Sequence, residues 1–71
     1  MKIGDKVRIV ALPEGLPDGM GTRALFVDCL NRVFPIAGIE GNLVELEVGE
    51  MRGEAAYMQS IWIEKDFVEA V

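Results

Sequence analysis

The sequence predicts a small, mainly β domain in which five short strands close a barrel and one short helix lies between the first and second strands. Three observations carry this expectation. In the run Lys6–Leu12, Val7, Ile9 and Ala11 alternate with Lys6, Arg8 and Val10, and Leu43–Val48 alternates apolar and polar residues, the period-two pattern of a strand buried on one face. Gly41-Asn42, between two apolar runs, is a two-residue hairpin signal. Ser60–Val71 reads as a strand, one tight polar turn at Glu64-Lys65-Asp66, and a last strand. A β class follows.

The chain has 71 residues, no internal repeat and no linker, so residues 1–71 form one domain. A domain this short buries roughly 60% of the surface its unfolded chain exposes, so its core is thin. With 51% hydrophobic residues it has more apolar surface than such a core needs, which leaves a homodimer open. The single cysteine, Cys29, excludes an intrachain disulfide and argues against a secreted disulfide scaffold. Met1-Lys-Ile-Gly-Asp5 lacks the apolar core of a signal peptide, and no apolar run reaches the ~20 residues of a membrane span. A cytoplasmic protein is expected.

In chain order, Val7, Ile9 and Ala11 alternate with Lys6, Arg8 and Val10 to give the first strand. Pro13–Gly21 holds two prolines and three glycines and reads as loop, with a turn at Asp18-Gly19. Thr22–Arg32 reads as the helix. Thr22 is its candidate N-cap, and Phe26, Cys29, Leu30 and Val33 share one face. Asp28 and Arg32 stand at i, i+4 on the other side. An irregular strand is the competing reading of this segment.

Val33–Glu40 is the second strand, and Pro35 requires a strand start, a bulge or an edge there. In Leu43–Val48, the third strand, Val44, Leu46 and Val48 point inward and Glu45 and Glu47 outward. A glycine-containing connection, Gly49–Gln59, leads to the fourth strand, Ser60–Ile63, and Phe67–Val71 is the fifth.

Gly4-Asp5-Lys6-Val7 at the start and Ile61–Glu69 at the end resemble Src-homology-3-like barrels, as found in bacterial proteins and in translation and transcription factors. The resemblance covers nearly the whole chain as a pattern, through short motifs. It implies a strand after the Gly-Asp opening and a single 3₁₀ turn at Glu64-Lys65-Asp66 between the last two strands. The helix in the first long loop departs from the peptide-binding domains of that name. So does the absence of their tyrosine-rich acidic motif, so polyproline binding is not implied.

The side chains argue against an enzyme. There is no His, and Ser60, Thr22 and Cys29 are the only residues of their kinds. A nucleophile paired with a His base and an imidazole metal site are both excluded, and no glycine-rich phosphate loop is present. No cofactor and no metal are expected. Cys29 is either a thiol activated by Arg32 or a core side chain beside Phe26 and Leu30, the commoner role of a free cysteine. Glu45 and Glu47 share a strand face, as a carboxylate pair would, yet simple alternation explains them. Met20, Met51 and Met58 fall in loops, where thioethers fill gaps or line adaptable contacts.

Charge is unevenly spread. Residues 1–35 carry five basic and four acidic side chains (+1), and residues 36–71 carry two and eight (−6), so the net −5 comes from the second half. That half repels a nucleic acid and suits a basic partner surface. Trp62 is the most informative single residue. With Ile61 and Ile63 inward it points outward beside Ser60 and Glu64, as an interaction hot spot would. The other reading has it covering the barrel against Phe34 or Tyr57.

The function expected is a non-enzymatic protein-interaction module. Trp62 and Tyr57 form its apolar patch, framed by Glu45, Glu47 and Glu64, and its expected partner is a protein with a basic surface. The alternative is a structural or accessory subunit of a larger enzyme. Direct nucleic-acid binding ranks below both.

Overall fold

A computed structural model describes residues 1–16 and 21–71. The expected turn at Asp18-Gly19 and the residue Met20 lie outside the described residues. Five antiparallel strands run β1 (Lys6–Ile9), β2 (Val33–Glu40), β3 (Leu43–Glu47), β4 (Ser60–Glu64) and β5 (Val68–Ala70). The helix α1 (Thr22–Cys29) joins β1 to β2. The sheet order is β4-β3-β2-β1-β5, and no ladder between β4 and β5 closes it. The architecture is thus an open five-stranded sheet, whereas the sequence led to a closed barrel.

β2 holds the sheet together. Its first half pairs with β1 (Val7 opposite Phe34), and its second half pairs with β3 (Ile39 opposite Val44). The register shifts between Ile36 and Gly38, a bulge where the strand changes partner. Pro35 sits just ahead of it, opposite Lys6. The flanking bonds, Ile36 N–H to the Asp5 carbonyl (2.8 Å) and Ile9 N–H to the Arg32 carbonyl (3.1 Å), make Lys6–Pro35 a non-hydrogen-bonded pair. The donor that proline lacks is not needed there.

The Gly-Asp opening is structural. Gly4 has φ 95°, a conformation glycine accepts without a Cβ penalty. Its N–H donates to the Ile36 carbonyl (2.9 Å), while Asp5 Oδ2 accepts from the Lys2 N–H (3.1 Å). This turn docks the start of β1 against β2.

Alternation sorts the sheet as expected. Val7 and Ile9 of β1, Val44 and Leu46 of β3, and Ile63 of β4 are fully buried. α1 adds Phe26 and Cys29 to the same core. Val48 is also buried, one residue past the end of β3.

The helix corrects three expectations. It ends at Cys29 rather than Arg32, because Leu30 is extended and Asn31 is left-handed at φ 66°. Asn is among the few non-glycine residues that accept this region, and its N–H donates to the Ile9 carbonyl at 2.7 Å. Thr22 is the first helical residue rather than the cap, and Gly21 (φ 75°) takes the cap position without a side-chain hydrogen bond. Val33 belongs to β2 and is exposed, so it lies outside the helix's buried face. Arg32 Nε donates to the Asp28 backbone carbonyl (3.0 Å), so the i, i+4 relation holds through the main chain.

β2 keeps its expected bounds, Val33–Glu40, while several other boundaries move. β1 stops at Ile9 instead of Leu12, β4 extends to Glu64, and β5 shortens to Val68–Ala70. A single 3₁₀ turn, Lys65–Phe67, separates the last two strands one residue later than expected. The connection from β3 to β4 holds two further 3₁₀ turns, Gly49–Arg52 and Ala56–Met58. Among the described residues no helix is long and apolar enough to cross a membrane.

Candidate interaction surface

The pairing of β3 with β4 sets the outer face. Glu45 stands opposite Trp62, Glu47 opposite Ser60, and Leu43 opposite Glu64. On the other side of β3, Gly38 of β2 pairs with Glu45 and Glu40 with Leu43. Since Ile61 and Ile63 are buried, Ser60, Trp62 and Glu64 face away from the core. Gly38, Glu45 and Trp62 therefore form a row across three strands.

Trp62 is 42% exposed, and its ring lies along this row. A Cβ built on Gly38 would stand 3.4 Å from Trp62 Cη2 and 3.1 Å from Glu45 Oε1. The missing side chain leaves the indole room to lie back over the sheet. Ser60 Oγ donates to Glu45 Oε2 at 3.0 Å, which fixes that carboxylate beside the ring. The structure brings Trp62, Glu45, Glu47 and Glu64 onto one face. Tyr57 is 73% exposed on the 3₁₀ turn before β4, outside the Gly38–Glu45–Trp62 row.

From Gly38 to Glu40, along β3 and along β4, the outward positions hold Glu40, Glu45, Glu47 and Glu64 and no basic residue. Two arginines line grooves beside it. Arg52 lines an open groove of about 610 Å³ between α1 and β4, with Thr22, Leu25, Phe26, Ile61 and Trp62. Arg32 lines a second groove of about 500 Å³ with Pro35, Glu47, Glu50 and Met51. Glu64 is half-buried, and its Oε2 is closed off from solvent with no hydrogen-bond partner among the described residues.

Cys29 is fully buried, and its thiol lies 3.5 Å from the Met51 sulfur. Burial first, and then the Asp28 carboxylate, push its pKa up to about 11, with Arg32 and Arg52 pulling weakly the other way. A thiol so placed is protonated at neutral pH and closed to reagents. Its role is packing. Among the described residues no group of three His, Cys, Asp or Glu side chains is arranged to hold a metal ion.

Sequence reasoning passed over Gly38, whose signal was a lone glycine inside a strand pattern, the mark of a bulge or a close approach. It also passed over the Ser60–Glu45 bond, which depends on strand register, and over the α1–β4 groove, which depends on tertiary packing. No protein-family model, no curated protein and no solved structure matches the chain.

Proposed function

We propose that this domain is a non-enzymatic protein-interaction module whose Trp62-centred outer face binds a basic protein surface. The observation that carries it is a half-exposed indole beside the Glu45 carboxylate, on a stretch of β3 and β4 whose outward positions hold Glu45, Glu47 and Glu64 and no basic residue. A Lys or Arg placed over an indole gains cation–π attraction of about 0.5–2 kcal/mol, and flanking carboxylates add charge-assisted hydrogen bonds. The acidic second half raises the encounter rate with a basic partner and disfavours nucleic acid. We also read the fold as Src-homology-3-like. The strand order, the Gly4-Asp5 entry into β1 and the 3₁₀ turn before β5 support that reading.

The test compares wild-type protein with Trp62→Ala and with Glu45→Gln/Glu47→Gln as bait in capture from the source cell. Circular dichroism serves as the check on folding. We expect a basic protein held by the wild type at low salt, lost from both variants while each stays folded, and released as ionic strength rises. Retention of the same protein by both folded variants would refute the assignment.

A further inference from the structure

The two ends of the sheet differ in how they are protected. β5 is three residues long and carries Glu69, and short length is itself a common defence against unwanted strand pairing. β4 spans five residues, Ser60–Glu64, with no proline, no lysine and no inward-pointing charge. Its pairing with β3 uses alternate residues. Val48 N–H donates to the Gln59 carbonyl (2.9 Å), and Lys65 N–H to the Asn42 carbonyl (2.9 Å), so Ile61 and Ile63 are the residues that bond to β3. The main-chain groups of Ser60, Trp62 and Glu64 therefore point to the edge of β4 that pairs with no other strand among the described residues. These three residues also carry the outward side chains of the acidic face.

Beside that edge runs the α1–β4 groove of about 610 Å³, whose wall holds Leu25, Phe26 and Ile61 together with Thr22 and Arg52. A strand laid along β4 would set one alternate set of side chains over the Leu25, Phe26 and Ile61 part of this wall. The other set would lie on the outer face, beside Trp62 and Glu64.

We propose that the β4 edge accepts an extended basic segment of a partner protein as a sixth, antiparallel strand, with apolar residues toward the α1–β4 groove and Lys or Arg on the outer face. This rests on the outer face being the contact for a basic partner and specifies how that partner is held. Main-chain bonds to an exposed edge give affinity, and alternate side-chain positions give specificity. Antiparallel pairing matches every ladder in the sheet. Charge selects a basic segment over a second copy of this chain, since edge-to-edge pairing of two copies would merge two acidic faces into one surface.

The probe is the synthetic peptide acetyl-Lys-Val-Lys-Val-Lys-Val-Lys-amide, with one twin N-methylated on the lysine amides and another on the valine amides. In an antiparallel addition the residues bonded to β4 lie opposite Ser60, Trp62 and Glu64 and share their face, so these are the lysines. The lysine-methylated twin is expected to lose binding at least about ten-fold and the valine-methylated twin to keep it, a gap of about 1.4 kcal/mol or more. In ¹⁵N-labelled protein saturated with peptide, the amides of Ser60, Trp62 and Glu64 are expected to exchange at least about ten-fold more slowly. Those of Ile61 and Ile63, already bonded to β3, should not change.

Quenching of Trp62 by the unmethylated peptide, with equal tolerance of both twins and unprotected edge amides, overturns strand addition and leaves the basic-partner reading standing. Loss from the valine set alone overturns the antiparallel arrangement. Absence of any Trp62 response to the unmethylated peptide at low salt sinks both readings. Protection of the same amides without peptide, growing with protein concentration, shows a second copy at the edge and overturns the proposal.

Discussion

Gly49 gives the sharpest test of how this small domain is packed. It is buried at the start of the 3₁₀ turn that follows β3, and its backbone conformation is one any residue adopts. What excludes a side chain is space. A Cβ at this position would overlap the Ala55 carbonyl oxygen and stand 2.9 Å from the Ala56 oxygen and 3.0 Å from the Ala55 carbonyl carbon. All three are main-chain atoms, so no rotamer change relieves the overlap. The Ala55–Ala56 peptide itself must move.

That movement strains two hydrogen bonds, Glu54 N–H to the Gly49 carbonyl (3.2 Å) and Met58 N–H to the Ala55 carbonyl (3.0 Å). Overpacking costs about 1–3 kcal/mol and each bond about 1 kcal/mol, against a gain of about 0.5–1 kcal/mol from a stiffer unfolded chain. The net for Gly49→Ala is a loss of about 2–4 kcal/mol. A domain of this size has roughly 4–10 kcal/mol in all. Urea unfolding followed through Trp62 fluorescence should move its midpoint down by about 2–4 M, for a slope near 1 kcal/mol/M. The control is Gly38→Ala, whose Cβ meets side-chain atoms rather than backbone: Glu45 Oε1 at 3.1 Å, the Trp62 ring at 3.4 Å and Glu45 Cβ at 3.5 Å. Its midpoint should stay within about 0.5 M of wild type. Equal effects of the two substitutions, or a negligible one at Gly49, would refute the packing described for the 49–58 connection.

Further outcomes are expected at Cys29 and Asn31. Folded protein should resist iodoacetamide at pH 8, and alkylation should track global unfolding. The folded pKa of Cys29, about 11, lies above the ordinary 9.0, so its protonated form favours the folded state. That contribution is intact below pH 9 and is lost as pH rises from 9 toward 11. A Cys29→Ala variant should lack this alkaline decline, and a wild type without it would count against the burial described. Asn31→Val, at φ 66°, should destabilise by about 1–2 kcal/mol and Asn31→Gly by less than about 0.5, read from urea midpoints. Equal losses from both would show that left-handed strain is not what Asn31 relieves.

The fold was legible in the sequence wherever a single period governed a segment. Val44, Leu46, Ile61 and Ile63 are buried because alternation requires it. Glu40–Leu43 closes the expected two-residue hairpin, with φ 57° at Gly41. The helix end was misread because Leu30 and Val33 continued an apolar spacing past the point where Asn31 turns the backbone left-handed. β1 was overextended for a similar reason, since Val10 through Leu12 remain apolar after the ladder with β2 has ended. The surface was legible only residue by residue. Trp62, Glu45, Glu47 and Glu64 could each be placed outward by counting along a strand. Their meeting depends on the β3–β4 register, and the indole's position depends on Gly38, two strands away. Tyr57, grouped with Trp62 in an apolar patch, lies on the 3₁₀ turn before β4.

This arrangement bears on what binding at the half-exposed ring would cost under the proposed function. A free surface indole would lose rotamer entropy on binding, at about 0.5–1.5 kcal/mol for an ordered side chain. Here the ring already lies along the sheet beside a carboxylate that Ser60 holds at 3.0 Å. Much of the ordering is done when the domain folds. The same residue, Trp62, also presents its own N–H and carbonyl to the edge of β4 that pairs with no other strand among the described residues, because on β4 outward side chains and edge-facing main chain fall on the same positions. In the proposed arrangement, side-chain recognition of a basic residue and main-chain pairing with an added strand would share one register, so a partner that satisfies one would be aligned for the other.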